Sequence, residues 1–148
     1  MHKTVLPPGL PQPAPSVEGL GQGFWEGAKR HVLCLQRCLD CKTWQGAPEV
    51  VCRHCGSDRL GEEELAETKG ILYSWQRVWY PVHPALKDAV PYAVVLVAMP
   101  NAPGVRLVGN LVNDPGGPLP IGATLEAVFE DHGDDEVVYT LIQWRLVT

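Results

Sequence analysis

Four of the five cysteines form two Cys-x-x-Cys pairs, Cys38 with Cys41 and Cys52 with Cys55, separated by ten residues. Two intervening residues let both thiolates of a pair point at one ion, and two pairs supply the four sulfurs that structural Zn²⁺ takes. Gly56, directly after the second pair, frees the backbone to turn there. The pattern predicts a metal site with Cys38, Cys41, Cys52 and Cys55 as its ligands.

The spacing also limits what this site does. It fits iron in a rubredoxin-like site as well as zinc, with zinc the expected ion. A disulfide framework is not expected, because the cysteine count is odd and all five lie between residues 34 and 55. Since four protein ligands leave no open coordination position, we expect a structural ion rather than a catalytic one. The fifth cysteine, Cys34, is predicted to be a small buried residue at the end of a helix.

No catalytic constellation is recognisable elsewhere in the sequence. Ser74 lacks the glycines of a nucleophile elbow, and His83 lies in a proline-rich loop. The acidic residues around His132 are typical of a turn, Asp134 and Asp135 included. We therefore expect no catalytic residue and no enzymatic activity from the chain by itself.

Composition describes a globular protein of 148 residues, with 45% hydrophobic and 20% charged residues. The longest apolar run, Ala93–Met99, has seven residues, far fewer than the roughly 20 that span a bilayer. The first residues lack the apolar stretch of a secretory signal, so we expect a cytoplasmic protein with no membrane partner.

Net charge is −5 and unevenly distributed. Residues 27–61 carry six basic and three acidic residues, whereas residues 62–148 carry five basic and twelve acidic ones. A general affinity for nucleic acid is not expected, because phosphate binding needs a cationic surface.

Three segments follow from this change in character. Residues 1–23 are rich in proline and glycine and predict an extended arm. Residues 24–61 predict a helix from Phe24 to about Leu33, followed by the metal-binding ribbon. The third segment, residues 62–148, begins with the acidic run Glu62, Glu63, Glu64 and Glu67, which is interpreted as a solvated connector.

The segment 62–148 predicts five strands joined by turns, which favours an OB-fold barrel. The strand at residues 92–99 is apolar on both faces, as a central strand is, and Gly109 suggests a bulge or tight bend. The expected fold is mainly β: an N-terminal helix and rubredoxin-like zinc ribbon followed by a five-stranded OB-fold barrel. The strands are expected at 71–80, 92–99, 105–112, 121–130 and 137–147.

Taken together, these motifs resemble a zinc-ribbon plus OB-fold family, long catalogued as a domain of unknown function, whose members accompany thiolases. The resemblance covers about residues 20–148 and departs from the family pattern at Glu67–Gly70 and at Lys42, where the family usually has glycine. The residues that carry it are Phe24, Trp25, the four paired cysteines, Gly56, Ser57, Gly70, Tyr73, Ser74, Pro91, Tyr92, Gly109, Ile121, Gly122, Phe129 and Glu130.

The resemblance implies a non-catalytic accessory subunit of a thiolase-like or lipid-transfer-like enzyme, in an acyltransferase or retro-aldolase complex that binds or positions acyl-CoA. With that function, the basic residues of the ribbon are predicted to contact CoA phosphates, and four aromatic residues to contact the partner. The phosphate candidates are Arg37, Lys42, Arg53 and Arg59, and the interface candidates are Phe24, Trp25, Trp75 and Trp79. Single-stranded nucleic-acid binding is the alternative for an OB-fold with aromatic residues, and the −7 charge of residues 62–148 opposes it.

Overall fold

The structure is a computed structural model that describes residues 19–133 and 138–148, together with Pro7, Gly9 and Leu10. Most of the predicted arm, and the turn at Asp134 and Asp135, lie outside the described residues. No helix in the described ranges has the length and apolarity needed to cross a bilayer. The elements are α1 Gln22–Lys29, β1 Cys34–Cys38, β2 Trp44–Gln45, β3 Leu60–Glu64, β4 Lys69–Val78, a 3-10 helix Pro84–Leu86, β5 Tyr92–Ala98, β6 Arg106–Asn110, β7 Thr124–His132 and β8 Tyr139–Leu146.

Helix α1 ends earlier than the predicted limit near Leu33. Its last turn is closed by the Val32 N–H, which donates to the Gly27 carbonyl at 2.9 Å. Such a closure requires a left-handed residue, and His31 supplies it with a φ of 59°. Cys34 is therefore buried at the start of β1 rather than at the end of the helix.

The ribbon is a three-stranded antiparallel sheet with the order β2-β1-β3. Its third strand contains Glu62–Glu64, so the interpretation as a connector is wrong for these three residues, although all three are exposed as expected of a solvated run. The Glu62 carboxylate accepts a hydrogen bond from the Gly23 N–H. The Glu63 carboxylate accepts from the Arg37 guanidinium, and the Glu64 carboxylate accepts from the Arg30 guanidinium. Pairing with β1 and with these donors outweighs the poor strand propensity of glutamate.

The second sheet has five antiparallel strands in the order β6-β5-β4-β7-β8. The expectation that residues 92–99 form a central strand is confirmed, since β5 lies between β4 and β6. The edge strands β6 and β8 approach each other at a parallel bridge between Leu111 and Trp144. Beside it, the Val112 N–H donates to the Trp144 carbonyl at 2.8 Å. This is the predicted barrel, with one short contact joining its edges.

The bulge expected at Gly109 is wrong, because β5 and β6 pair there in regular register. The irregularity lies instead in β4, between Leu72 and Ser74. Gly109 is required for another reason: a Cβ at this position would lie 2.6 Å from the Ile142 carbonyl oxygen and 2.8 Å from Trp144 Cδ1. The glycine allows β6 to approach β8 closely enough to bring the barrel edges together.

Ribbon and barrel share one hydrophobic core. The cluster includes Leu33, which precedes β1, and Leu35 and Trp44 of the ribbon sheet, together with Val95 and Trp144 of the barrel. A ribbon of this size has too small a core to fold alone. We therefore expect the two parts to stabilise each other through this shared core.

Candidate functional site

The two Cys-x-x-Cys pairs adopt the same backbone turn. The Cys38 N–H donates to the Thr43 carbonyl at 3.0 Å, and the Cys52 N–H donates to the Ser57 carbonyl at 2.7 Å. In each turn, the N–H four residues after the first cysteine donates back to that cysteine's carbonyl, at 3.1 and 2.8 Å. The pairs are thus two copies of one knuckle, each presenting its thiols in the same way.

Each knuckle needs a left-handed residue directly after its second cysteine. Gly56 fills this position with a φ of 75°, and Lys42 fills the equivalent position with a φ of 63°. Glycine adopts this conformation without strain, whereas a side chain opposes it. The geometry explains why glycine suits the position that Lys42 occupies. Lys42 Nζ donates to the Leu39 carbonyl at 2.6 Å.

The two knuckles bring the four sulfurs together. All four lie within 4.8 Å of one another, with Cys38 Sγ 3.7 Å from Cys55 Sγ and Cys41 Sγ 3.5 Å from Cys52 Sγ. A tetrahedral ion with sulfurs at about 2.3 Å would separate them by about 3.8 Å. The donor set and the spacing therefore fit a metal ion held by four thiolates.

Backbone and side-chain groups favour the charged form of some of these thiols. Thr43 Oγ1 lies 3.2 Å from Cys41 Sγ, and contacts with the Thr43 hydroxyl and N–H lower the pKa of Cys41 to about 6. At Cys55, the Ser57 N–H lowers the pKa, but Cys41, burial and the other thiols oppose this and raise it to about 12. Four adjacent thiolates thus need a cation to offset their mutual repulsion.

The roles of two hydroxyl residues in this site were missed by sequence reasoning. Thr43 contacts Cys41, and the Ser57 hydroxyl donates to the Asp40 carboxylate, which links the second knuckle to the first. Asp40 also accepts from Arg59 at 2.7 Å. The sequence carries a signal for both, because a hydroxyl residue stands two positions after the second cysteine of each pair.

The four phosphate candidates differ in their surroundings. Arg37 is engaged, with its guanidinium 2.8 Å from the Glu63 carboxylate and 4.7 Å above the Trp44 ring. Arg59 is ion-paired with Asp40. Lys42 and Arg53 are exposed, and their side chains donate to the backbone carbonyls of Leu39 and Trp44. A role of any of the four in phosphate binding stays a prediction.

The four aromatic candidates differ in their surroundings. Phe24 and Trp25 are half-buried neighbours on α1, with ring centroids 5.6 Å apart and nearly perpendicular planes. Trp75 packs against the barrel core and donates its indole N–H to the Leu119 carbonyl at 3.2 Å. Trp79 is 69% exposed in the segment after β4. Their role in docking stays a prediction.

Two domain families of known proteins match successive parts of this chain. Residues 25–61 match the rubredoxin-like zinc ribbon domain of ChsH2, and residues 62–130 match the C-terminal OB-fold domain of ChsH2. The solved structure of an Ltp2-ChsH2(DUF35) aldolase is similar over 90% of this chain and 98% of that one, with a TM-score of 0.73 and 33% identity. A DUF35 protein of unknown function from Sulfolobus solfataricus shares the fold, with a TM-score of 0.59 and 15% identity over 86% of this chain and 85% of that one.

A curated relative matches three quarters of the chain. The probable enoyl-CoA hydratase alpha subunit of Thermomonospora curvata is 38% identical over 111 residues, which cover 75% of this chain. The match covers 33% of the relative, so the chain spans about a third of its length. From the ribbon, the barrel and these matches, we conclude that the chain belongs to the ChsH2 family of rubredoxin-like zinc ribbon and OB-fold proteins.

Proposed function

We propose that this chain is a non-catalytic accessory subunit of a thiolase-like or lipid-transfer-like enzyme complex, which transfers acyl groups or makes or cleaves carbon–carbon bonds. The observation that carries the proposal is its likeness to the Ltp2-ChsH2(DUF35) aldolase, which extends over nearly the whole of both chains. The name of that aldolase pairs a ChsH2-type chain with Ltp2. The subunit holds its partner in place and helps to position an acyl-CoA.

The metal ion in this proposal is zinc, held by Cys38, Cys41, Cys52 and Cys55. The sulfur spacing, the two matched knuckles and the family's zinc ribbon support it. These four thiolates would fill the coordination positions of a zinc ion, which would then supply folding energy and leave no position for a substrate. Elemental analysis of the purified protein should give one zinc per chain, and iron in its place would overturn the assignment.

The acyl-CoA part of the proposal names two basic residues for a first test. Arg53 and Lys42 are exposed on the ribbon, whereas Arg37 and Arg59 would have to leave carboxylate partners to reach a phosphate. Replacing Arg53 and Lys42 by glutamate should weaken binding of an acyl-CoA to the complex by at least tenfold in titration calorimetry, since phosphate contacts are charge-assisted. Unchanged affinity would remove the phosphate role of these two residues and leave the accessory role standing.

Single-stranded nucleic-acid binding is the less favoured alternative. The outer side of β5 and β6, where OB-folds bind oligonucleotides, is lined by Val94, Leu96 and Val108, with Arg106 as a basic residue. A cationic groove is what such binding requires. Oligonucleotide affinity at low salt would favour this alternative.

The accessory role is tested by reconstitution. The chain should form a stable complex with the purified Ltp2 subunit of the matched aldolase, measured by light scattering after size-exclusion chromatography. The chain alone should not turn over an acyl-CoA, while the complex should be more active or more stable than Ltp2 alone. Turnover by the isolated chain, or failure to bind Ltp2, would contradict the proposal.

A further inference from the structure

The edge strand β6 is held to β5 by backbone hydrogen bonds at both of its ends. Just before the strand, the Met99 N–H donates to the Val105 carbonyl at 3.1 Å; just after it, the Leu111 N–H donates to the Ala93 carbonyl at 2.9 Å. Along an antiparallel pair, every second residue makes such bonds. The odd-numbered residues of β6 therefore bond to β5, and the even-numbered residues turn their N–H and C=O groups away from it.

These outward-facing backbone groups meet different surroundings along the strand. At one end, the Asn110 N–H donates to Gln143 Oε1 of β8 at 2.7 Å, beside the bridge that joins the barrel edges. Further along, no backbone group among the described residues pairs with Arg106 or Val108 on this side. The seam between β6 and β8 is thus satisfied at one end and open at the other.

The open part of this edge borders a groove of about 410 Å³, a volume within the usual range of ligand sites. Its walls come from α1, the segment 46–48 and β8, and they are mostly apolar. The apolar side chains of the lining include Phe24, Trp25, Pro48, Leu107, Val108 and Ile142. Arg106 is the charged residue of the lining, and its guanidinium lies 3.9 Å from the centroid of the Tyr73 ring.

An open strand edge with apolar walls is recognised by one kind of ligand. An extended peptide matches the spacing of backbone donors and acceptors along a strand, and its alternate side chains enter apolar pockets. An acyl chain would fill the groove without using these backbone groups. The exposed Arg106 guanidinium adds a preference for a carboxylate beside the strand.

We propose that the edge of β6 binds an extended peptide segment of the partner enzyme subunit, apolar at alternate positions and carrying an acidic residue opposite Arg106. The segment pairs with the outward backbone groups of Arg106 and Val108, at the open end of the seam. Trp25 of α1 covers it from the ribbon side. This inference rests on the proposed function, because that function supplies the partner.

The backbone contact is tested with Val108→Pro, which removes one outward N–H. Proline is accepted in an edge strand where its nitrogen faces away from the ladder, so the bonds of Leu107 and Gly109 to β5 remain. Val108→Thr is the matched control, because it keeps the branched shape and the N–H. Wild-type and Val108→Thr chains should bind the Ltp2 subunit within about twofold of each other, while Val108→Pro should bind at least tenfold more weakly.

Amide exchange provides a second measurement on the same chains. In the free protein, Leu107 and Gly109 should be protected and Arg106 and Val108 should exchange rapidly; in the Ltp2 complex, all four should be protected. If the amides of Leu107 and Gly109 lose protection in Val108→Pro, proline has damaged the strand itself. The Arg106→Glu variant then takes the place of Val108→Pro in the binding test. The same tenfold loss of binding is expected.

The possible results separate this inference from the proposed function. If the wild-type chain does not bind Ltp2, the proposed function fails. If it binds and Val108→Pro binds equally well with its ladder intact, only the β6 contact fails. Protection of Arg106 and Val108 in the concentrated chain alone would assign the edge to a second copy, and protection by an acyl-CoA alone would assign the groove to a small ligand. Either result would overturn the proposal.

Discussion

The imidazole of His31 lies 2.9 Å from the carboxylate of Asp131, although 100 residues separate them in the chain. His31 follows helix α1 and Asp131 belongs to β7, so the contact links the ribbon side to the barrel. The His31 ring also stacks on Phe129 at 5.1 Å, and the Thr140 hydroxyl donates to Asp131 at 2.6 Å. Burial alone would raise the pKa of Asp131, but the hydrogen bonds from Thr140 and His31 outweigh it and lower that pKa.

The left-handed backbone of His31 leads to the first prediction. His31→Gly and His31→Ala both lose the contacts with Asp131 and Phe129, but only alanine keeps the strain of a positive φ. The free energy of unfolding of His31→Gly should therefore be about 1 kcal/mol higher than that of His31→Ala, measured by urea denaturation. The same pair at Arg30, where φ is −88°, serves as the control. At Arg30 the alanine variant should be more stable than the glycine variant. If glycine were more stable than alanine at both positions, or alanine at both, the left-handed strain at His31 would be contradicted.

The second prediction concerns the two knuckles. Gly56 has open space around its Cα, so Gly56→Ala tests the backbone conformation alone. It should cost about 1 kcal/mol of unfolding free energy in the metal-loaded protein. Lys42→Gly at the equivalent position should cost nothing or stabilise slightly, because relief of the left-handed strain offsets the loss of the bond to Leu39. If thermal denaturation showed the same loss of stability for Gly56→Ala and Lys42→Gly, the two knuckles would not be equivalent.

The third prediction is that Gly109 holds the barrel edges together. In Gly109→Ala, the methyl group would meet the Ile142 carbonyl and the Trp144 ring at less than contact distance. Since these are backbone and a fully buried ring, we expect a loss of about 2 kcal/mol or more. Gly117→Ala, where no atom lies within 4 Å of the added carbon, is the control. It should change the unfolding free energy by less than about 0.5 kcal/mol.

These residues also indicate what a sequence can and cannot predict. The metal site could be predicted from the sequence, because its ligands lie within 18 residues and their spacing reflects one local turn. The central strand β5 could also be predicted, because burial on one face and neighbouring strands on both sides favour an apolar sequence. Both signals are carried by short stretches of chain.

What was missed depends on contacts between distant residues. Glu62–Glu64 are exposed, as predicted, but only the ribbon sheet shows that they belong to a strand. It places Arg30, Arg37 and the Gly23 N–H beside them. Gly109 indicates a special backbone position, but only the approach of β8 shows that close packing, rather than a bulge, requires it. The left-handed conformation of His31 had no local signal, since glycine is the residue expected there.

A buried ion pair at one end of the barrel gives the last prediction. Arg77 of β4 is 7% exposed and donates through Nε to Asp114 Oδ2 at 3.0 Å. It also donates to the Gly117 carbonyl, and the Gly116 N–H donates to Asp114 Oδ1. The pair therefore fixes the loop between β6 and β7. Removing the carboxylate would leave a buried guanidinium without its counter-charge, which costs about 3 kcal/mol.

The pH dependence of this pair has a definite sign. The Arg77 guanidinium lowers the pKa of Asp114 below its ordinary value, so the stabilisation is present above about pH 4 and is lost as the pH falls through the lowered pKa. Asp114→Ala should reduce the unfolding free energy by about 3 kcal/mol at pH 7, and its difference from wild type should narrow below pH 4. Asp88→Ala, at an exposed position, should differ from wild type by less than about 0.5 kcal/mol. A difference for Asp114→Ala that does not change with pH would mean that the loop is held by packing rather than by the charge on Asp114.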